Sequence, residues 1–222
     1  RELTPESFER LLTGSYFQRF PERVALIREG EPADFLHIVT DGAVELYSSW
    51  NNRECTMAIA QPVSTFILAA VLKDAPYLMS GRTIESSEIL MIPAANIRRT
   101  METDSGFALA MVTELADQYR GVIKATKNLK LRNAVERLAN YLLHQHAAQG
   151  ATGSISLPIA KSVLASLLGM TPENLSRAFS KLSDKGVSVD GAHVGFSNVA
   201  ALERLARPSP LIDNHYAQDR NT

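Results

Sequence analysis

The chain has 222 residues, of which 45% are hydrophobic and 21% charged, and its formal net charge at pH 7 is −1. These values are typical of a globular protein with room for one large or two ordinary domains, and they exclude a protein that binds nucleic acid through bulk positive charge. The only cysteine, Cys55, excludes an internal disulfide and disfavours an iron–sulfur cluster. Because no apolar run approaches a membrane span and no secretory signal is recognisable, we expect a cytoplasmic protein.

The N-terminal half predicts a β-rich domain. After a helical start (ELTPESFERLL), residues 20–93 contain short alternating or β-branched runs, among them FLHIVTDG, AVELYSSW and TIESSEILMIP. Turn residues such as Asp41-Gly42 and Asn51-Asn52 separate the runs. Regular short strands of this kind indicate a sandwich, barrel or jelly roll, so we expect a β-roll domain over residues 1–104. The apolar segment FILAAVLKDAPYLMSG, residues 66–81, interrupts the strands and predicts a short helix and loop.

Residues 105–130 predict one long helix that carries a dimerisation seam. At 1.5 Å per residue this helix would be roughly 35 Å long. A long helix with a narrow apolar stripe favours pairing with a copy of itself, so we expect a homodimer. Packing of the helix on the β-domain is a compatible alternative, because both faces could be used. The seam repeats at alternating spacings of three and four, and its members are Ala108, Met111, Leu115, Gln118, Val122, Ala125 and Leu129.

A second helix, NAVERLANYLLHQHAAQG, follows, and a polar loop over residues 150–154 ends it. The stretch between Tyr119 and Arg137 holds six basic residues against one acid, Glu136. Such a stretch indicates phosphate contacts beside a DNA-binding motif or, more often, a plain solvated helix face. The basic residues are Arg120, Lys124, Lys127, Lys130, Arg132 and Arg137.

The segment AKSVLASLLGMTPENLSRAFSKLSDKG, residues 160–186, predicts two short helices joined by a tight turn. Gly169 can adopt the backbone angles that end the first helix. Thr171 is a good N-cap for the second, and Pro172 suits its first position. The predicted inward residues are Val163, Leu164, Leu167 and Leu168 in the first helix and Leu175, Phe179 and Leu182 in the second.

The opposite face of the second helix has the chemistry for base edges. Glu173, Ser176, Arg177 and Ser180 share it at spacings i, i+3, i+4 and i+7. An Arg fork can bond guanine N7 and O6, a carboxylate can accept from cytosine N4, and a Ser hydroxyl is tolerant. The alternative is a solvated i, i+4 pair on an ordinary helix. Thr171 and Asn174, at the N-terminus of the second helix, and Lys161, on the first helix, are better placed for phosphate contacts.

The run VSVDGAHVGFS then predicts a hairpin around Asp190-Gly191. Ser197 is the expected cap of a last short helix, NVAALERLA. Two helices followed by a hairpin make a winged helix-turn-helix, which we assign to residues 131–207. The tail over residues 208–222 has no periodicity and is expected to be irregular.

A β-roll, a long helix and a winged helix-turn-helix, in this order, resemble the Crp/Fnr superfamily of bacterial transcription regulators. The resemblance covers nearly the whole chain, and its markers are REGEPADFLHIVTDGAVELY, LRNAVERLANYLL and LLGMTPENLSR. It implies an α+β fold and a homodimer that binds a palindromic DNA operator, with RNA polymerase as its protein partner and activation as its usual effect. The resemblance also implies that Glu173, Ser176 and Arg177 contact bases, and this Glu-x-x-Ser-Arg version of the recognition helix implies a TTGAT-like half-site.

The branch of the family depends on the segment from Phe66 to Gly81. Cyclic-AMP receptors place a Gly-Glu pair and an Arg-Ser pair there, whereas this chain has Ala69 and Met79-Ser80 at about those positions. A buried phosphate without an arginine partner is costly, so cyclic AMP is disfavoured. The resemblance is closest to the nitric-oxide-responsive, Dnr-like denitrification regulators, which implies haem as a candidate cofactor. Effector-independent FixK-like regulators are the alternative.

An apolar effector pocket would lie beside the long helix, with His37 and Met57 as candidate axial ligands of haem. A lone histidine in a strand is more often a structural residue. The other histidines, His144, His146, His193 and His215, form no recognisable metal-ligand cluster. The expected pocket residues are Phe66, Ile67, Leu68, Ala69, Val71, Leu72, Leu78 and Met79.

An enzyme is disfavoured, since the sequence contains no G-x-S-x-G, H-E-x-x-H or P-loop motif. A small-molecule sensor without direct DNA binding is the other functional class that these residues leave open.

Overall fold

The computed structural model describes residues 3–213, and the chain divides into two compact units, Arg1–Gln118 and Tyr119–Thr222. Over residues 3–118 the first unit consists of eight strands and the helices α1, α2 and α3, followed by the start of the long helix α4. The helices are α1 (Pro5–Leu12), α2 (Leu68–Lys73), α3 (Ala94–Thr103) and α4 (Ser105–Leu131). The strands are β1 (Tyr16–Phe20), β2 (Ala25–Ile27), β3 (Phe35–Asp41), β4 (Val44–Trp50), β5 (Arg53–Ala60), β6 (Ser64–Phe66), β7 (Ser80–Thr83) and β8 (Ser87–Pro93).

The strands of the first unit form two antiparallel four-stranded sheets, in the orders β1-β8-β3-β6 and β2-β7-β4-β5. Buried apolar side chains from both sheets, including Val39, Val44 and Ile89, make one core with the first turns of α2. The predicted β-roll is therefore confirmed, as is the short helix that interrupts its strands. Helix α3 was not predicted, because its apolar positions are few and only Ala94 and Ile97 of this helix are buried in the core.

The long helix predicted from residue 105 is present and runs to Leu131. It begins where the Asp104 side chain accepts a hydrogen bond from the Phe107 N–H at 2.9 Å. Its 27 residues continue from the first unit into the second.

In the second unit, helix α5 (Ala134–Ala148) begins at a capping box. The Asn133 side chain accepts from the Glu136 N–H, and the Glu136 carboxylate accepts from the Asn133 N–H at 2.9 Å. Up to residue 213 the unit continues with β9 (Ser154–Ser156), α6 (Lys161–Leu167), α7 (Pro172–Ser183), β10 (Val187–Asp190), β11 (His193–Phe196) and α8 (Val199–Ala206). Strand β9 begins at the end of the predicted polar loop and joins the hairpin in a sheet of order β10-β11-β9.

Two local predictions in this unit were wrong by one residue. The hairpin turn is Gly191-Ala192, because Asp190 still pairs with His193 and Gly191 takes the positive φ of +56°. The N-cap of α8 is Asn198 and not Ser197. The Asn198 side chain accepts from the Ala201 N–H at 2.9 Å, whereas the Ser197 hydroxyl donates to the Gly186 carbonyl.

Candidate nucleic-acid interface and effector region

Helix α7 begins at Thr171, whose hydroxyl oxygen accepts from the Asn174 N–H at 3.3 Å. Pro172 follows as the first helical residue, so the predicted start of the helix is confirmed. Leu175, Phe179 and Leu182 are buried, as their spacing predicts. The packing of these three side chains fixes the opposite face of α7 toward solvent.

That solvent face brings together the three predicted base-contacting residues. Glu173, Ser176 and Arg177 are all exposed. A hydrogen bond from the Thr171 hydroxyl, followed by the backbone amide of Glu173 and the charge of Arg177, lowers the pKa of the Glu173 carboxyl. Glu173 is therefore a carboxylate at neutral pH and can only accept hydrogen bonds.

The three predicted phosphate-contacting residues lie in different settings. Lys161 is exposed at the start of α6, and its ammonium lies 5.8 Å from the centre of the Phe179 ring. The Thr171 hydroxyl oxygen accepts from the Asn174 N–H in the helix cap, and the same hydroxyl donates to the Glu173 carboxylate. The Asn174 side chain is exposed, while its backbone N–H belongs to the cap.

An open groove of about 760 Å³ runs between α7 and the hairpin, and sequence reasoning missed it. Hydroxyl groups of Ser176, Ser180 and Ser183 line one wall, and Ser188 of β10 lies in the other. Lys161 is its charged residue, and Phe179 contributes apolar surface. The Ser180 and Ser183 hydroxyls donate to carbonyls within α7, so Lys161 and the hydroxyls of Ser176 and Ser188 are the groups that suit a sugar–phosphate strand. The groove depends on how the hairpin folds back beside α7, and no local pattern encodes that placement.

The basic stretch divides into exposed and internal residues. Arg132 and Arg137 bond carbonyl and carboxylate groups of the second unit, and Lys127 donates to the Leu211 carbonyl at 3.2 Å. Arg120 and Lys130 are exposed. The part of this stretch that is open to phosphates is therefore smaller than the sequence count indicates.

The predicted effector segment is mostly packed into the core of the first unit. Phe66, Leu68 and Val71 are buried in that core. Partly buried side chains pack against it, namely Ile67, Leu72 and Met79. Ala69 and Leu78 are exposed, Leu78 by 80%. Six of the eight predicted pocket residues therefore belong to the core or its edge.

The segment provides no arginine for a cyclic phosphate. Arg82, the next arginine along the chain, donates to Glu45 at 2.8 Å and to Glu54 at 3.0 Å. Its guanidinium also lies over the Tyr47 ring, 4.2 Å from the ring centre. These contacts hold Arg82 within the β2-β7-β4-β5 sheet.

His37 is a buried imidazole next to this segment. Only 4% of the residue is exposed, and its ring stacks on Phe66 with centroids 5.1 Å apart. Burial lowers the pKa of His37 to about 4, and a hydrogen bond to the Phe35 backbone raises this pKa by a smaller amount. Its buried Nδ1 atom has no hydrogen-bond partner among residues 3–213. Met57, in contrast, is 54% exposed.

Within the described part of the chain, no three His, Cys, Asp or Glu side chains are grouped as a metal site would require. His215 lies outside the described residues, as does most of the predicted tail.

Helix α4 has two apolar faces, and the predicted seam contains residues from both. Met111 and Leu115 pack against the core of the first unit. The Gln118 amide donates to the Thr65 carbonyl at 3.3 Å and to the Thr65 hydroxyl at 2.9 Å. These three seam residues therefore make contacts within their own chain, as in the alternative in which the helix packs on the β-domain. Among the other seam residues, Ala108 is half-buried, and Val122, Ala125 and Leu129 are exposed.

Exposed apolar residues of α4 occur one position further along. Leu109, Val112, Tyr119 and Ile123 are 67%, 56%, 66% and 43% exposed. Their spacings of three, seven and four place them on one stripe of a helix. The heptad pattern alone could not separate this stripe from the neighbouring face, because both faces are apolar.

None of the helices over residues 3–213 is both long enough and apolar enough to cross a membrane.

Comparison with known proteins gives matches in both units. Residues 17–104 match the model of the cyclic nucleotide-binding domain, and residues 136–205 match that of the Crp-like helix-turn-helix domain. A probable transcriptional regulator, flp, of Lacticaseibacillus casei is 24% identical over 191 residues, which cover 85% of this chain and 87% of that protein. A CRP-like cAMP-activated global transcriptional regulator of Mycobacterium tuberculosis is 22% identical over 194 residues, with the same coverage.

Among solved structures, FixK2 from Bradyrhizobium japonicum is similar with a TM-score of 0.76. The two sequences are 22% identical, and the match covers 88% of this chain and 98% of FixK2. At this identity the likeness shows the fold.

Proposed function

Because the chain belongs to the Crp/Fnr family of DNA-binding transcription regulators, we propose that it is a homodimer that recognises a TTGAT-like palindrome. The observation that carries this proposal is the joint exposure of Glu173, Ser176 and Arg177 on α7. Membership of this family makes the chain a regulator and not an enzyme. We further propose that it works in the cytoplasm, with RNA polymerase as its partner, and activates transcription.

The base contacts follow from the chemistry of the three side chains. Arg177 takes guanine through N7 and O6, and Glu173 accepts from a cytosine N4 or holds the Arg177 fork in place. Ser176 lies against a thymine. The ionised state of Glu173 supports this assignment, because a carboxylate can serve either role.

The groove between α7 and the hairpin is proposed to hold the sugar–phosphate strand next to the recognised bases. Lys161 supplies its charge, and Ser188 supplies a neutral hydroxyl donor. These contacts position the protein without specifying sequence. At the start of α7, where the helix dipole favours an anion, Asn174 is proposed to contact phosphate through its exposed side chain. Thr171 is proposed to do so through its hydroxyl once the Glu173 carboxylate turns from that hydroxyl to the bases.

The dimer is proposed to form through the exposed stripe of α4 rather than through the whole predicted seam. Leu109, Val112, Tyr119 and Ile123 would pack against the same residues of a second copy. A two-fold dimer requires a palindromic operator, with half-sites about 34 Å apart.

The effector is proposed to be a small molecule other than cyclic AMP, although one relative of the chain is named as cAMP-activated. Ala69 offers no carboxylate for a ribose, and Arg82 is held by Glu45 and Glu54. Nitric oxide sensed through haem is our first candidate. His37 would hold the haem iron through its unpartnered Nδ1, and the iron would supply the binding site for the gas.

A FixK-like regulator that needs no effector is the second candidate. The burial of Phe66, Leu68 and Val71 in the core favours it, because filled space leaves little room for a ligand. Absorption spectra separate the two candidates. A haem band in freshly isolated protein supports sensing through haem. A protein that shows no haem band even after reconstitution with haem supports the regulator that needs no effector.

Selection of binding sites from randomised DNA tests the main proposal. We expect enrichment of a palindrome with TTGAT-like half-sites. Recovery of no consensus, or of binding that depends only on salt, would overturn it.

A further inference from the structure

A buried arginine occupies the junction between α4 and α5. Arg132 follows the last residue of α4 and precedes Asn133, the N-cap of α5. Its side chain is only 7% exposed and donates to both carboxylate oxygens of Asp213, with Nη2 at 2.7 Å from Oδ2. It also donates to the Arg207 carbonyl and to the Asn128 side chain. The junction is therefore bonded to the segment that follows α8.

This segment, residues 207–213, is here called the C-terminal strap. Its turn is closed from within, because the Ile212 and Asp213 N–H groups donate to the Ser209 carbonyl at 2.9 and 2.8 Å. The Asp213 carboxylate accepts in turn from the Ser209 N–H. Lys127 of α4 donates to the Leu211 carbonyl at 3.2 Å. The strap thus presents a formed turn to the end of α4 at two points.

The strap also approaches α5. Burial lowers the pKa of His144, and the nearby Asp213 carboxylate opposes that effect. Asp213 therefore acts on groups from both sides of the junction, Arg132 on one and His144 on the other.

The same junction is tied to the helix-turn-helix. Arg137 of α5 donates to the Arg132 carbonyl at 2.6 Å and to the Leu168 carbonyl, at the end of α6, at 2.8 Å. A side chain at Gly169 would lie 2.7 Å from Cδ2 of Leu129, which shows how closely the last turn of α4 approaches the turn before α7. Within this unit, the direction of α4 relative to α7 is therefore set around Arg132.

We propose that the C-terminal strap is a positioning clasp, in which Asp213 pairs with Arg132 to hold the α4–α5 junction rigid and so fixes the distance between the two recognition helices of the dimer. A buried ion pair broken on one side leaves an uncompensated charge, so the junction must rearrange when Asp213 is removed. The distance part of the proposal rests on the proposed function, whereas the rigidity part concerns the free protein.

Rigidity is tested first, without DNA. In the full chain, Asp213→Ala is expected to speed hydrogen exchange of the amides around Asn133 by about ten-fold and to open the Arg132–Asn133 bond to trypsin. Asp213→Asn, which keeps the shape, is expected to give a smaller effect in the same direction. Glu203→Gln removes an exposed carboxylate of α8 and serves as the control. Wild-type exchange and cleavage in both Asp213 variants would overturn the proposal.

Positioning is tested with DNA. One base pair inserted between the half-sites rotates one against the other by about 34°. We expect this insertion to weaken wild-type binding by about ten-fold and to weaken Asp213→Ala binding far less. The positioning role would be overturned if Asp213→Ala sped hydrogen exchange at the junction but the inserted base pair weakened its DNA binding as much as it weakens wild-type binding. If no variant, including the wild type, selects a palindrome, the proposed function fails, and the exchange experiment still decides whether the clasp exists.

Discussion

Gln118 of α4 donates from its side-chain amide to both the carbonyl and the hydroxyl of Thr65 on β6. The amide also bonds Glu114, one turn earlier in the same helix. Together with Met111 and Leu115, these contacts commit one face of α4 to its own β-roll. The stripe of Leu109, Val112, Tyr119 and Ile123 is left exposed on a different face, and it differs from the predicted seam by one residue.

The first prediction separates these two faces. Ile123→Asp is expected to weaken the dimer by at least about 3 kcal/mol, because two isoleucines leave an apolar interface and two charges enter it. Sedimentation would then show monomers at micromolar protein. Ala110→Asp adds the same charge at an exposed position outside the stripe and is expected to leave the dimer intact.

Leu115→Asp has a different expected result. It places a charge against the core of the first unit, so we expect a lower free energy of unfolding rather than a folded monomer. A folded, monomeric Leu115→Asp variant alongside a dimeric Ile123→Asp variant would restore the seam predicted from the sequence.

The parts of the chain that the sequence predicted correctly are those in which local rules suffice. The start of α7 depends on Thr171 as a cap and on Pro172 after it, and its inward face follows from helical spacing. The strands of the β-roll follow from alternation and turn residues. Both kinds of signal lie within a few neighbouring residues.

The missed features depend on partners that are distant in the chain. Strand β9 is only three residues long and exists because it pairs with β11. The charge pattern groups Arg132 and Arg137 with residues that were expected to contact phosphate. Arg132 instead pairs with the Asp213 carboxylate, and Arg137 donates to the Leu168 carbonyl. Helix periodicity cannot tell which of two apolar faces of α4 meets its own domain, because both obey the same spacing.

The second prediction concerns acid stability. Because burial lowers the pKa of His37 to about 4, the folded protein keeps this imidazole neutral while the unfolded chain protonates it near pH 6.5. Its contribution to stability is therefore complete above about pH 6.5 and is lost as the pH falls toward 4. The loss between pH 7.5 and pH 5.5 should be about 1.3 kcal/mol.

Urea unfolding of the wild type and of His37→Gln at these two pH values measures this loss. The wild type should lose about 1.3 kcal/mol more than the variant does. Equal losses in the two proteins would mean that His37 does not titrate in this way.

The third prediction concerns phosphate binding by Lys161. Lys161→Ala is expected to weaken binding to all DNA sequences alike, and to lower the slope of log affinity against log salt by about one for each phosphate that the lysine neutralises in the wild type. Lys73→Ala removes an exposed lysine of the β-roll and is the control. A salt slope equal to that of the wild type would remove Lys161 from the interface.

The fourth prediction concerns cyclic AMP. Calorimetry is expected to show no binding at micromolar nucleotide, because a buried cyclic phosphate would meet no free arginine in this segment. DNA affinity should be the same with and without the nucleotide. Micromolar binding would contradict this prediction. It would indicate that Arg82 can leave Glu45 and Glu54 to bind the phosphate, and that the chain responds to cyclic AMP.

The last prediction concerns base recognition by α7. Arg177 is exposed beside Glu173 on the solvent face that the burial of Leu175 and Phe179 creates. Arg177→Ala should therefore cost about 1–3 kcal/mol per half-site and relax the preference at the guanine. Arg204→Ala, which removes an exposed arginine from α8, should keep both affinity and preference. Selection from randomised DNA measures the two effects together. If Arg177→Ala retained the full preference at every half-site position, α7 could not be the helix that recognises the bases, and the wing or the exposed basic residues of α4 would have to supply the sequence specificity.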